Sequence, residues 1–385
     1  MDTPTIGILG GYGSTGKHIV RLLLEYTDAH LVIAGRHILR ARQFARECNE
    51  QAGEERVCAT YAHAADPESV MHAFDGAQLL IVASPTGRFT EETATAALET
   101  GCDWLDIQYY TPKLTVLNRL AERIEGAGRC FVTDAGLHPG LPALLVRYAA
   151  SCLAVLEVAN VFAVFNLRGG FPRTPSLYEF TRELMRSRCG AYRDGQWRFF
   201  SGLGAGEGQQ TDFGFGFGTR LCTPMVLEEM RALPDMFPAL RETGFYVAGF
   251  NWFVDWVVMP LLWLSGRVAP RLWVKPMAQL LYLGTRLYAN PPYGAVVKLQ
   301  ACGWQDGRMQ VLSLQLYHPD PHLFTAIAAV AGVLQYLRGH TRRAGLWFGG
   351  QLYDPQEALR DMQRMGVTVQ QEMSPVRGTC PFCGR

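Results

Sequence analysis

The sequence predicts an α/β protein with two domains, the first built on a doubly wound parallel sheet and the second α+β. Three observations support this prediction. Apolar strand-like runs alternate with amphipathic helical segments up to about residue 135. Beyond about residue 140 the alternation stops, and two apolar runs flank Asp306-Gly307, the signal of an antiparallel hairpin. The chain has 385 residues, a length that suits two domains.

The first domain is predicted to begin with a strand, a glycine-rich turn and a helix. The apolar run TPTIGILG leads into GGYGSTG, and KHIVRLLLEY follows with apolar residues at helical spacing. Further apolar runs, each separated from the next by a helical segment, predict the other strands of a parallel sheet. In chain order these runs are AHLVIAGR, ERVCATYAH, AQLLIVASP, CDWLDIQ and RCFVTDAG.

The second domain is predicted to contain a mixed or antiparallel sheet. GLPALLVRYAASCL is typical of a helix, EVANVFAVFNLRGG of a strand, and TPSLYEFTRELMRSR of a second helix. In FGFGFG, phenylalanine alternates with glycine over residues 213–218, which predicts a strand with aromatic rings on one face. We expect three regions: a dinucleotide-binding domain over 1–138, a substrate and dimerisation domain over 139–345, and over 346–385 a C-terminal helix that packs back on the first domain, followed by an irregular tail.

Composition and charge indicate a globular protein without a strong electric field. Hydrophobic residues make up 48% of the chain, and 36 Lys+Arg balance 35 Asp+Glu to a net charge of +1. Because the chain has no basic block or stripe, nucleic-acid binding is not expected. The ten cysteines follow no regular spacing and no signal peptide precedes the first strand, so we expect a reduced, cytoplasmic setting.

The glycine-rich turn is the strongest functional signal. In the pattern GxGxxG, between a strand and an amphipathic helix, the glycines allow a tight turn, close approach of the backbone to a pyrophosphate, and packing of the helix on the strand. The N-terminus of that helix attracts phosphate. This context predicts a Rossmann fold that binds a dinucleotide. The residues expected to contact the cofactor here are Gly10, Gly11, Gly13, Ser14, Thr15 and Gly16.

The end of the second strand predicts which dinucleotide is bound. A carboxylate about 20 residues beyond the glycine motif would favour NAD by bonding the ribose 2′-hydroxyl. The sequence instead has Gly35 and Arg36 at this place, with Arg40 one turn into the next helix. Because a guanidinium group forms forked hydrogen bonds with phosphate, we predict NADP(H).

Two further strand ends are predicted to contact the cofactor. Asp66 follows the third strand, where a side chain can meet the adenine. The fourth strand ends in Ser84, Pro85 and Thr86, near the expected position of the nicotinamide.

Four stretches of the chain together resemble the saccharopine dehydrogenase-like reductases: ILGGYGSTGKHIVRLL, LVIAGR, GCDWLDIQ and DAGLHPGLPALLVRYA. The resemblance covers the first 150 residues and continues more weakly in ACGWQDGRMQVLSLQLYH, TAIAAVAGVL and AGLWFGGQLYDP. It implies a Rossmann domain, a second mixed domain used for substrate and dimer contacts, and NAD(P)-dependent oxidation or reduction. Members act on C–N bonds of amino acids, on polyamine precursors and on lipid double bonds, so the resemblance leaves the substrate open. The character of the middle region is similar to the branch that includes trans-acting enoyl reductases.

Candidate acid–base residues lie near the predicted ends of the fifth and sixth strands. His138 is the first candidate because imidazole titrates near neutral pH, and its alternative role is to brace the loop. Asp106 is a second candidate, with a structural cap as the alternative, and Tyr109 is a third. In the second domain, Tyr178 and Arg182 share a helix face and are expected to touch substrate.

No metal site is expected. HPDPH at 318–322 is typical of a turn between a strand and a helix, with Asp320 as N-cap. CPFC at 380–383 supplies only two ligands and belongs to the predicted irregular tail.

Residues 244–273 are unusually rich in aromatic side chains. Asp255 at the centre argues against a membrane span, since a central Asp costs roughly 2.5 to 3.5 kcal/mol on insertion, and Pro260 interrupts the run. Two alternatives remain: a buried core or dimer helix, which we favour, or a helix that lies on a membrane surface through residues 250–275. In the second case Arg267, Arg271 and Lys275 would face lipid headgroups.

We therefore predict an NADP(H)-dependent oxidoreductase that acts on a C=N or activated C=C bond of a small or lipid-like metabolite. We also predict a homodimer. The alternative is a non-catalytic NADP-binding regulator or a membrane-associated scaffold, because the sequence contains no unmistakable catalytic dyad.

Overall fold

The computed structural model describes residues 3–200 and 205–376, together with residues 380 and 382. The chain divides into two compact units. The first comprises Met1–Leu141 and Thr325–Met365, and the second comprises Pro142–Phe324 and Gly366–Arg385.

Strands and helices alternate regularly in the first part of the chain. They are β1 (Thr5–Leu9), α1 (Ser14–Tyr26), β2 (His30–Gly35), α2 (Ile38–Ala52), β3 (Val57–Tyr61), α3 (Pro67–Ala73), β4 (Leu79–Val82), α4 (Thr90–Glu99), β5 (Asp103–Asp106), α5 (Lys113–Gly126) and β6 (Cys130–Thr133).

The middle of the chain mixes helices with a second group of strands. These elements are α6 (Leu141–Cys152), β7 (Val155–Asn166), α7 (Pro175–Arg186), β8 (Cys189–Arg193), β9 (Gln196–Phe200), β10 (Gln209–Asp212), β11 (Thr219–Met225), α8 (Leu233–Met236), β12 (Glu242–Ala248), α9 (Met259–Val268) and α10 (Pro270–Leu287). A π-helical turn, Val254–Val258, leads directly into α9.

The last part of the chain contributes to both units. Its elements are β13 (Gly294–Gln305), β14 (Arg308–His318), α11 (Pro321–Leu337), β15 (Gly345–Phe348), α12 (Gly349–Leu352), α13 (Pro355–Arg364) and β16 (Thr368–Pro375).

The first unit contains a seven-stranded parallel sheet in the order β15-β6-β5-β4-β1-β2-β3. The strand order reverses between β1 and β4, which makes this the topological switch point at which doubly wound sheets bind ligands. All four residues of β4 are buried, as expected for a central strand covered on both faces. The predicted Rossmann-type sheet is confirmed, and β15 is an addition at its edge.

The second unit contains a mixed sheet in the order β10-β11-β12-β7-β13-β14-β16, with β8 paired to β12 and β9. β7 and β12 run parallel, whereas the other pairs in this path are antiparallel. Asp306 and Gly307 close the hairpin between β13 and β14 with φ of 51° and 72°, which suits the twist of the two strands. The predicted α+β second region is therefore confirmed.

The FGFGFG stretch is a turn between β10 and β11, so the prediction of a strand there is wrong. Gly214, Gly216 and Gly218 all have positive φ, at 58°, 82° and 65°, and Phe215 shares this conformation at 47°. Positive φ reverses the chain direction and cannot continue a strand. Phe213 and Phe217 are instead buried in the core of the second unit.

The aromatic segment forms β12, the π-helical turn, α9 and the start of α10. These helices pack with α7 around a core that includes Val258, Leu262, Met277 and Leu281. Among the described residues, no helix combines the length and the hydropathy required to cross a bilayer. The end of the predicted irregular tail, including Cys383, lies outside the described residues.

Candidate active site

The glycine-rich turn joins β1 to α1, and its backbone is closely packed. Gly10 has a φ of 90°, and its N–H donates to the carbonyl oxygen of Ala34 at 2.8 Å. A Cβ on Gly16 would collide with the carbonyl oxygen of Gly10, and a Cβ on Gly13 would lie 3.1 Å from the same atom. Gly13 is the N-cap of α1 and offers no capping side chain. The start of α1 thus has the geometry that binds a pyrophosphate through backbone N–H groups.

Tyr12 connects this turn to the end of β2. Its hydroxyl accepts a hydrogen bond from the backbone N–H of His37 at 3.0 Å. Its ring lies directly against Gly35, where any side chain would collide with it. The sequence analysis did not single out Tyr12, which lies inside the glycine motif.

The two arginines predicted to bind a 2′-phosphate are both exposed at the end of β2 and the start of α2. Among the described residues, neither Arg36 nor Arg40 forms an ion pair or a hydrogen bond. No carboxylate in the described part of the chain competes for their guanidinium groups, so both can bind an anion. The residues present therefore fit NADP.

The loop after β4 lies against the glycine-rich turn. A Cβ on Gly10 would be 2.7 Å from the Cβ of Ser84. The hydroxyl groups of Ser84 and Thr86 are 3.0 Å apart, and the side-chain amide of Gln108 donates to the Ser84 carbonyl at 2.7 Å and to the Thr86 hydroxyl at 3.0 Å. The loops after β1, β4 and β5 are thus connected at the switch point, with Pro85 half-buried between its neighbours.

Asp66 has a structural role that sequence analysis did not assign. Its carboxylate accepts a hydrogen bond from the backbone N–H of Ser69 at 3.3 Å and so caps α3, which has Pro67 in its first turn. The residue is exposed, and a contact with adenine stays a prediction.

Residues 6–128 match the family model for the saccharopine dehydrogenase NADP binding domain. The N-terminal domain is a saccharopine dehydrogenase NADP-binding domain. The match confirms the predicted family and NADP as the cofactor, and it supports an NADP-dependent oxidoreductase.

The whole chain is also similar in fold to solved dehydrogenases. Apo saccharopine dehydrogenase (L-Glu forming) from Saccharomyces cerevisiae aligns with 12% identity and a TM-score of 0.71, over 96% of this chain and 100% of the yeast chain. A mutant meso-DAP dehydrogenase from Clostridium tetani aligns with 14% identity and a TM-score of 0.46, over 93% and 95% of the two chains. A dehydrogenase from Chromobacterium violaceum aligns with 11% identity and a TM-score of 0.45, over 95% and 94%. The fold assignment rests on the yeast enzyme.

A buried charge cluster lies beside β5 and β6, next to the NADP-binding domain's switch point. Lys113 is 1% exposed, and its ammonium nitrogen lies 2.5 Å from Asp106 and 2.7 Å from Asp134. The ammonium also donates to the carbonyl oxygen of Gln108. Asp106 is fully buried and accepts two further hydrogen bonds, from the Trp104 indole and from the Gln108 backbone.

The cluster keeps Lys113 charged. Burial alone lowers the pKa of this ammonium, but the attraction and hydrogen bonds of Asp106 and Asp134 outweigh burial, so that the net pKa lies above its ordinary value. An ammonium held by two carboxylates and a carbonyl has no donor to spare. In this NADP-binding domain, Lys113 therefore joins the loop after β5 to the loop after β6. Neither Lys113 nor Asp134 was predicted from the sequence as a site residue.

The loop that follows Asp134 carries His138. Asp134 has a φ of 54°, and Gly140 has one of 132°, where any side chain would collide with Gly136. The N–H of Gly136 donates to the Pro139 carbonyl at 3.1 Å, so the loop is tight. His138 is half-buried, and burial lowers the pKa of its imidazole to about 4, which leaves the ring neutral at pH 7.

The remaining predicted site residues lie in two places. Tyr109 is half-buried, just after β5 in the first unit. Tyr178 and Arg182 lie one turn apart on α7 in the second unit, and Tyr178 is 40% exposed. Among the described residues, no group of three or more potential ligands could hold a metal ion. Asp320 caps the start of α11 by accepting hydrogen bonds from His322 and Leu323.

Proposed function

We propose that this protein is an NADPH-dependent reductase that transfers hydride to a C=N or activated C=C bond of a small or lipid-like metabolite. The observation that carries the proposal is the pair Arg36 and Arg40, two exposed guanidinium groups with no acceptor among the described residues, close to the glycine-rich turn. A 2′-phosphate would supply the missing acceptor. NAD(H), which lacks that phosphate, would not.

The residues that would hold the cofactor follow from the loops at the switch point. The N-terminus of α1 would bind the pyrophosphate, with Ser14 and Thr15 in its first turn, and Arg36 with Arg40 would bind the 2′-phosphate. Ser84 and Thr86 would flank the nicotinamide ring. When bound, NADPH supplies the hydride, and the protein supplies position and a proton.

Three residues are proposed to donate the proton to the substrate or to position the groups around it. Asp106 acts as a positioning residue, because its buried carboxylate is already engaged by Lys113, Trp104 and Gln108. His138 orients substrate by a hydrogen bond, because burial lowers the pKa of its imidazole to about 4 and so keeps the ring neutral at pH 7. Tyr109 is the remaining acid, and we propose its phenol as the proton donor.

An aromatic cluster in the second unit supports an apolar substrate. The rings of Phe165, Phe171, Phe180 and Phe250 lie with centroids 5.1 to 6.5 Å apart. All four residues are only half-buried, so part of each ring stays accessible. Half-buried aromatic rings suit an acyl chain or another bulky apolar group. Tyr178 and Arg182, on the same helix as Phe180, would add a polar contact.

The assembly and the cellular setting are proposed from the family resemblance and from the cysteines. We propose a homodimer, as the family resemblance implies, and a cytoplasmic setting. Among the described residues, Cys48, Cys58, Cys102, Cys130, Cys152 and Cys222 are free thiols, which suits a reducing compartment.

A substrate screen with a matched variant tests the proposal. NADPH consumption is followed by absorbance with imines, enoyl thioesters and other enoyl compounds, in the wild type and in a variant with Arg36→Ser and Arg40→Ser. We expect turnover on one of these classes with NADPH, and a raised KM for NADPH in the variant. Tight NADPH binding without turnover on any of them would instead support a non-catalytic regulator or scaffold.

A further inference from the structure

Exposed apolar side chains are concentrated in one segment of the second unit. Among the described residues, nineteen large apolar side chains are exposed, and ten of them lie within residues 252–287. The same segment contains four of the eight tryptophans of the chain, and Trp256 is 80% exposed. A concentration of this kind on a globular protein indicates a binding surface, whereas scattered single residues do not.

α9 has an apolar outer face as well as an apolar inner face. Its inner face, with the preceding turn, buries Val254, Val258 and Leu262 against α7 and α10. The outer face follows the helical repeat at positions 257, 261, 264 and 268. Its residues are Val257 (37% exposed), Leu261 (42%), Leu264 (54%) and Val268 (74%). A helix that only packs on its own domain would carry polar residues on that outer face.

α10 repeats this arrangement. Val274, Met277 and Leu281 are buried, whereas Leu272 and Leu287 are 78% and 70% exposed, with Leu283 between them. The two helices are separated only by Ala269. Val268 and Leu272 flank this junction, and both are exposed. We call this surface, the exposed apolar residues of 252–287, the outer face.

The charged residues within this segment of the chain are almost all basic. Residues 249–290 contain Arg267, Arg271, Lys275 and Arg286 but only one carboxylate, Asp255. Asp255 is directed into the protein, where its carboxylate accepts a hydrogen bond from the backbone N–H of Phe250 at 2.9 Å. Among the described residues, Arg271 and Lys275 form no ion pair or hydrogen bond. A partner that fits this surface must therefore have an apolar region for the exposed side chains and negative charges for the basic ones.

We propose that the outer face docks on the surface of a lipid bilayer that contains anionic phospholipids. Exposed tryptophan and leucine side chains enter the region between headgroups and acyl chains, and Arg271 and Lys275 bind lipid phosphates. A second copy of the chain fits this surface less well, because a symmetric contact would bring two sets of positive charges together without a carboxylate between them. The proposal does not depend on which bond the enzyme reduces.

Vesicle cosedimentation tests the proposal with the full chain. The probes are vesicles of phosphatidylcholine alone and of phosphatidylcholine mixed with phosphatidylglycerol. We expect the wild type to bind the mixed vesicles, and a variant with Arg271→Gln and Lys275→Gln to bind them about thirtyfold more weakly, since each basic residue near an anionic surface contributes about fivefold. Binding to phosphatidylcholine alone is expected to be weak in both proteins.

A second variant tests the apolar part of the surface. Trp256→Ser combined with Leu272→Ser removes the most exposed apolar side chain before Ala269 and the most exposed one after it. We expect this variant to bind mixed vesicles about a hundredfold more weakly. The matched control combines Leu221→Ser and Met373→Ser, which are 50% and 48% exposed on strands of the second sheet, and should bind as the wild type does. Circular dichroism spectra and melting curves measured in parallel show that each variant is folded.

Three results would overturn the proposal. The first is absence of binding to mixed vesicles by the wild type. The second is an equal loss in the control variant with Leu221→Ser and Met373→Ser. The third is a homodimer, detected by light scattering, that the Trp256→Ser and Leu272→Ser variant dissociates while the wild type binds no vesicles. That last result would assign the outer face to a second copy of the chain.

Discussion

Replacement of Lys113 by methionine tests the buried charge cluster directly. Lys113 is 1% exposed between Asp106 and Asp134, which are 0% and 8% exposed, and methionine matches its length without its charge. The variant leaves two buried carboxylates without their cation. Breaking a buried pair in this way costs about 3 to 5 kcal/mol, far more than the pair itself contributes over an apolar equivalent.

An exposed ion pair between α5, the helix that carries Lys113, and α4 supplies the matched control. Arg119 lies 2.7 Å from Glu91, the same distance as Lys113 from Asp134, but the two side chains are 61% and 59% exposed. Because water screens such a pair, Arg119→Met should cost less than about 1 kcal/mol. Distance is thus held constant while burial changes.

Hydrogen exchange is the appropriate assay because the chain has two compact units and need not unfold in one step. The free energy of opening is measured at the amides of β5 and β6 in the wild type, in Lys113→Met and in Arg119→Met. Neutralising the carboxylates in the first variant, with Asp106→Asn and Asp134→Asn, should restore part of the loss. A loss in Lys113→Met no larger than in Arg119→Met would refute the argument that the cluster is buried and charged.

The cluster also predicts the sign of a pH effect. Because the pKa of Lys113 is raised in the folded protein, its contribution is complete below the unfolded value of 10.5 and is lost as pH rises through the folded value. Opening free energies at β5 should therefore fall in strongly alkaline solution in the wild type. The Lys113→Met variant should not show this fall.

Three further predictions concern the cofactor site and its loop. Arg36→Ser with Arg40→Ser should weaken NADPH binding about 10- to 100-fold and leave NADH binding unchanged, as measured by fluorescence titration; an equal loss for both would contradict the 2′-phosphate assignment. Gly16→Ala should push α1 away from the turn, so that the melting temperature falls and NADPH no longer raises it. Because the pKa of His138 is lowered to about 4, its neutral form stabilises the fold above pH 6.5, and this stability is lost as pH falls from 6.5 to 4. His138→Gln should flatten the dependence of the melting temperature on pH between 6.5 and 4. A dependence equal to that of the wild type would contradict the lowered pKa of His138.

Local patterns were sufficient to predict the parallel sheet and its cofactor. Each strand from β1 to β6 is an apolar run that ends near a glycine or a polar residue, and the glycine-rich turn requires its strand and helix. β15 escaped prediction because Gly345–Phe348 lies outside the region of regular alternation and joins the sheet by pairing with β6, more than 200 positions earlier. Pairing over such a distance has no local signal.

The wrong prediction for FGFGFG has a specific physical cause. Alternation of large and small residues matches the repeat of a strand, but glycine also permits positive φ, and the two uses of glycine cannot be distinguished by period alone. The backbone of Gly214, Gly216 and Gly218 uses positive φ. The burial of Phe213 and Phe217 then holds the turn in place.

Lys113 was missed because a lysine at the start of a helix ordinarily faces water. It follows Pro112 and precedes the amphipathic run LTVLNRL, which places it at the exposed end of a surface helix when only the helical repeat is considered. A signal was nevertheless present: Asp106 and Asp134 both end adjacent strands, and the carboxyl ends of neighbouring parallel strands lie together. Two buried carboxylates at one place require a cation, and Lys113 is the basic residue nearest in sequence to Asp106.

The aromatic segment shows where hydropathy alone stops being informative. A helix with one apolar face and a helix with two apolar faces differ little in composition, so the segment could be assigned to a core, a dimer or a membrane surface. The structure separates the faces: Val258 and Leu262 are buried, while Leu264 and Val268, on the same helix, are exposed. The inner face packs in the core of the second unit. The outer apolar face, next to Arg271 and Lys275, keeps Leu264 and Val268 exposed, and the anionic lipid surface that we propose matches both its apolar residues and its charge.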